Sequence, residues 1–130
     1  MKKSIVFLIF LGFLLSCNKK NDQISSTIVG TWKLIEVLAD PGDGSGTFQP
    51  VNSTKTIIFD ANGNVSSNGA ICDMSTGTNI SSTGTYSDTQ ATINSIDCQS
   101  LTINYELNNT TLILIYPCIE PCKAKYIKVE

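Results

Sequence analysis

The chain contains no histidine and no arginine; all nine of its basic residues are lysine. The first absence removes Ser-His and Cys-His nucleophile pairs, imidazole general bases and the commonest metal ligand. The second, with a formal net charge of −2, argues against a nucleic-acid partner, which needs a basic face. Neither a nucleophile–base pair nor a pair of catalytic carboxylates can be singled out, so nothing points to an enzyme or a cofactor. Helical periodicity is almost missing beyond residue 27. The apolar run at residues 5–15 rises roughly 16 Å as a helix, about half the hydrocarbon thickness of a bilayer, so it can insert but not span.

That run is informative for where it stops. Lys2 and Lys3 open it, and Leu14-Leu15-Ser16-Cys17 closes it. A basic start, a short apolar core and a small residue before the cut are the layout of a secretory signal peptide. Leu-Leu-Ser-Cys resembles a bacterial lipobox. The resemblance implies a signal peptide over 1–16, cleavage before Cys17, a diacylglyceryl thioether on its sulfur and an acyl chain such as palmitate on its amino group. Residues 17–27 then carry the lipidated cysteine and a polar tether to the membrane. In lipoprotein sorting an aspartate after that cysteine retains a protein at the inner membrane. Asn18 stands there instead, which implies the outer membrane and leaves open which of its faces.

Four further cysteines remain: Cys72, Cys98, Cys118 and Cys122. An even number in an exported chain predicts two disulfides. A four-thiolate zinc site is the alternative, but it is usually built from close Cys-x-x-Cys pairs, which are absent.

Residues 28–130 form one domain. Thr, Ile, Val and Tyr abound between recurrent turn residues, which predicts eight strands over 29–38, 54–60, 65–72, 80–86, 91–96, 101–107, 111–116 and 123–129. A short helical turn is expected at most near residues 25–28. The sixth strand alternates Leu101, Ile103, Tyr105 and Leu107 with polar residues. In the first, Trp32, Leu34, Glu36 and Leu38 share a parity, which would aim Glu36 inward or leave it wetted near a rim. Asn62-Gly63 predicts a hairpin turn; its neighbours Asp60 and Asn64 superficially resemble part of a calcium loop without the later ligands. Asp40 and Asp43 lie in a glycine-rich loop. Eight sequential strands joined by tight turns favour an all-β, up-and-down antiparallel barrel; a two-sheet sandwich is the alternative.

Gly30-Thr31-Trp32, the segment from Ile57 to Gly63 and Gly84-Thr85-Tyr86 resemble pieces of the lipocalin-like (calycin-type) lipoproteins of Gram-negative bacteria. The resemblance implies that Trp32 plugs a closed end and that Lys128 lies across it, where the family usually has arginine. A lysine over an indole contributes about 0.5–2 kcal/mol. It also implies a small apolar or amphipathic ligand and no enzymatic activity.

In such a meander all four cysteines fall at the open end, at or next to the ends of the third, fifth and seventh strands and the start of the eighth. Geometry favours Cys72 with Cys98 and Cys118 with Cys122; a pairing of Cys98 with Cys118 or Cys122 competes. Small residues that can face inward (Ser67, Gly69, Ser82, Gly84, Ala91, Ala124) fit either a cavity or a tightly coiled barrel. Two readings of function follow: a membrane-anchored, monomeric binder of a small molecule, or an accessory protein of the envelope that uses its rim loops to hold a protein partner.

Overall fold

The computed structural model describes residues 27–130. The signal segment, Cys17 and all of the tether but Thr27 lie outside the described residues, as does the first half of the turn expected at 25–28.

Nine strands follow in order: β1 Gly30–Ala39, β2 Gln49–Pro50, β3 Thr56–Phe59, β4 Asn64–Ser67, β5 Ser82–Ser87, β6 Thr92–Asn94, β7 Thr102–Asn108, β8 Thr111–Ile115 and β9 Cys122–Lys128. From β3 to β9 each strand pairs antiparallel with the next, and β9 returns to β1. Eight strands therefore close an up-and-down barrel and leave no free edge. The two-residue β2 is an annex on β1, pairing Gln49 with Val37 and Pro50 with Glu36.

Alternation builds the interior. On β9, Cys122, Ala124 and Tyr126 are buried while Lys123 and Lys125 are only half-buried. Ile103 and Tyr105 of β7, and Leu112 and Leu114 of β8, join the same core. The close approach of β5 and β6 requires glycine at 84, because a side chain there would meet the Asn94 carbonyl. Ser67, Gly69, Ser82 and Ala124 are likewise buried, against packed neighbours.

Three expectations are corrected. The third strand ends at Ser67, not at Cys72. Asn68 replaces the next rung of the ladder with its side chain: Oδ1 accepts from Thr56 N at 2.8 Å and Nδ2 donates to Thr54 O at 3.0 Å. The fifth strand ends at Asn94, and a 3-10 turn, Ile96–Cys98, follows. Ser95 caps that turn by accepting from Asp97 N, the usual work of a serine at a helix start. Third, the register of β1 against β9 slips between Leu34 and Glu36. Such a bulge inserts one residue and reverses the parity beyond it. Val37, not Leu38, therefore packs against the core, and Glu36 pairs with Lys125 on the outer wall.

Candidate functional site

The closed end is built around Trp32. Its side chain has 0% exposure, and Nε1 donates to Ile28 O at 2.7 Å. Lys128 lies directly across the ladder from it, with Nζ 5.5 Å from the ring centroid and donating to Thr27 O. Two tyrosines reach down to turns at this end. Tyr86 OH donates to Asp60 O at 2.6 Å, and Tyr105 OH to Asp88 Oδ1 at 2.8 Å. Burial, then the Asp88 contact, raises the Tyr105 phenol well above its ordinary value. Its hydroxyl is therefore a donor at any physiological pH.

The acidic loops are turns. Asp60 Oδ1 accepts from Asn62 N and Asn64 N. Asp40 accepts from the backbone of Gly42, Gly44 and Gly46, and the Gly46 bond, followed by the others, holds its carboxyl below the usual range. Among the described residues no cluster of His, Cys, Asp and Glu is arranged to hold a metal.

The open end differs in kind. Disulfides join Cys72 to Cys98, with Cα atoms 5.0 Å apart, and Cys118 to Cys122, at 6.1 Å. Cys122 faces Ala39, at the far end of β1 from Trp32. Residues 68–81 cross the mouth between β4 and β5. Three polar side chains lie beneath this mouth. Lys55, just before β3, shares the inward parity of Ile57 and Phe59 and has 0% exposure. Its Nζ donates to Ser75 O at 2.8 Å and to Asp73 O at 3.4 Å. Desolvation lowers its pKa to about 8, against an opposing pull from the Asp73 charge. The hydroxyls of Tyr116 and Tyr126 neighbour each other, and neither makes a hydrogen bond of ordinary geometry. Burial raises both phenols well above their ordinary value, and the Asp73 carboxylate adds to the effect.

Inside the barrel, side chains fill the bore: Leu34, Ile57, Phe59, Ile71, Ile93, Ile103 and Leu114 are each at most 1% exposed. A groove of about 840 Å³ lies instead on the outer wall, between Ile58, Ser66, Thr83, Thr85, Asn94 and Ile96. The barrel is thus a closed, eight-stranded meander with an aromatic plug at one end and a loop-covered mouth at the other. A family model described as a lipocalin-like domain matches residues 28–115. The chain belongs to the lipocalin-like family. The match stops at the end of β8, and the structure supplies the closing strand of this lipocalin-like barrel, β9. Comparisons with curated proteins and with solved structures gave no match. A lipocalin-like barrel suggests the binding of small molecules, and the family is generally a binding fold rather than an enzyme.

Lys55, Asp73, Tyr116 and Tyr126 are absent from the site expected on sequence grounds. The signal for three of them was strand parity: Lys55 alternates with Ile57, Tyr116 with Leu114, and Tyr126 with Ala124. The outward positions at the mouth were equally unforeseen, with Ile80 64%, Ile96 90% and Ile119 101% exposed.

Proposed function

We propose that this lipocalin-like protein is a lipoprotein of the cell envelope, anchored in the outer membrane through Cys17, whose barrel binds a small apolar or amphipathic molecule at its mouth. It acts as a monomer, without enzymatic activity, cofactor or nucleic acid. The anchoring rests on the lipobox. The binding rests on one observation: two tyrosine hydroxyls are buried in an apolar bore without an ordinary hydrogen-bond partner. Such a group costs about 1–3 kcal/mol when left unpaired, and a ligand oxygen placed there recovers that loss. Side chains fill the bore, so a ligand reaching these hydroxyls takes the place of one of those side chains.

Two experiments test the two halves. Cys17→Ala should move the protein from the membrane fraction to the soluble exported fraction; unchanged membrane fractionation overturns the anchor. Native mass spectrometry of protein from its own cell should find a small molecule bound in addition to the lipid. A chain carrying the lipid alone overturns the binding.

The exposed apolar residues at the mouth favour a second reading, a protein partner held by Ile80, Ile96, Leu101 and Ile119. It predicts that photo-crosslinkers at positions 96 and 119 capture one envelope protein in the cell, and that Ile119→Lys abolishes the capture from position 96.

A further inference from the structure

Residues 69–81 take no part in the barrel ladder, whose last rung on this side is the Asn68 side chain. From Cys72 to Ile80 every residue is at least partly exposed, while Ile71 has 0% exposure and Met74 packs on the core from its edge. One aliphatic side chain is thus the segment's deep contact with the interior. Its remaining attachments are separable. Ser82 Oγ donates to Gly69 O and accepts from Ile71 N. Lys55 Nζ donates to Ser75 O, and Ser53 Oγ to Thr76 O at 2.7 Å. Cys72 is tied to Cys98 in the 3-10 turn. At the neck, Gly69 and Gly77 touch so closely that a Cβ on Gly69 would lie 2.5 Å from Gly77 O. The segment can leave the mouth without breaking a strand pair. Beneath it the hydroxyls of Tyr116 and Tyr126 face each other without a hydrogen bond of ordinary geometry.

We propose that residues 69–81 are a displaceable plug, that Ile71 holds the place of the apolar tail of a small amphiphile, and that the ligand's alcohol or carbonyl oxygen bonds to the Tyr116 and Tyr126 hydroxyls. This rests on the small-molecule reading above and specifies its ligand. The tail has the bulk of one or two aliphatic side chains, since that is what Ile71 and Met74 vacate. The Cys72–Cys98 bridge is the latch, since it holds the residue next to Ile71. A closed plug lowers the apparent affinity by the fraction of time the mouth is open, and removing the latch raises that fraction.

The test uses the full chain carrying Cys17→Ala, titrated with 1-hexanol and followed by nuclear magnetic resonance. Hexanol should move the Ile71 methyl resonances and expose the amides of residues 69–77 to solvent exchange. Cys72→Ser with Cys98→Ser should tighten hexanol binding about tenfold, and Tyr116→Phe with Tyr126→Phe should weaken it. Hexanol binding that leaves Ile71 and these amides unchanged overturns the plug and leaves the small-molecule reading standing. Binding of hexanol to neither the original nor the latch-free chain, with the barrel amides of both intact, overturns the plug together with the reading beneath it.

Discussion

The two ends of the barrel use the same residue type in opposite ways. At the closed end Tyr86 and Tyr105 extend their hydroxyls to a turn carbonyl and a turn carboxylate, and each is satisfied. Toward the mouth Tyr116 and Tyr126 meet each other without an ordinary bond, and a lysine is buried whole. Tight turns shape the first end; a long crossing segment and two disulfides shape the second. The closed end is arranged for stability. The open end stores polar groups whose partners come from a movable segment or from outside the chain.

The largest test of that contrast is Trp32→Ala. Deleting a fully buried indole leaves a cavity and an unpaired Ile28 carbonyl, and should reduce stability by about 3–5 kcal/mol. Ile71→Ala, equally buried but on a segment free to settle, should cost about 2 kcal/mol, near the lower end for such truncations. Equal losses in denaturant titrations would break the distinction between the ends.

Next in size is the latch. Replacing Cys72 and Cys98 by serine removes a bridge separated by 26 residues and should cost about 3 kcal/mol. Hydrogen exchange should rise first in residues 68–81 and 95–101, before the Trp32 region. The Cys118–Cys122 bridge spans 4 residues, so its removal should cost less.

Lys55 sets a pH dependence. Its folded pKa of about 8 lies below the ordinary 10.5, so between these values the unfolded chain binds more protons. Stability should therefore rise with pH from about 8, by about 1–3 kcal/mol over the whole window. Above about 10 the raised phenols reverse the slope, because the unfolded chain then loses tyrosine protons that the folded chain keeps. Thermal melts at pH 7.5 and 9.5 should show a rise in the original chain and a flat response in Lys55→Met.

The smallest effect is the sharpest comparison. Tyr105→Phe removes a satisfied bond and should destabilise by about 1 kcal/mol, whereas Tyr116→Phe removes an unsatisfied hydroxyl and should be neutral or stabilising. Equal losses would mean that the mouth hydroxyls are satisfied in solution.

Most of the barrel could be read from the residues. Alternation along 101–107, the Asn62-Gly63 turn and the small number of long connections suffice for a meander, and each reports a local preference that the fold obeys. What could not be read are the places where one group substitutes for another. The amide of Asn68 stands in for a ladder rung, and nothing in Ser67-Asn68-Gly69 distinguishes that from a continuing strand. The bulge after Leu34 depends on pairing with a strand almost ninety residues away, so parity carried forward along β1 misplaces Leu38 and leaves the direction of Glu36 open. The burial of Lys55 is not legible because a lysine in an alternating strand normally faces water. Its burial requires carbonyls from residues 73 and 75, which only the crossing segment supplies.

The last ladder has one more consequence. Thr31 N donates to Glu130 O at 2.9 Å, and Val129 N to Thr31 O at 2.9 Å. The two ends of the described chain therefore meet in one seam at the closed end. A covalent linker joining them would make a ring without disturbing any strand pair. A fresh break in the exposed glycine-rich stretch 41–46 would then yield a circular permutant whose barrel retains its order, with both new ends opening beside the mouth.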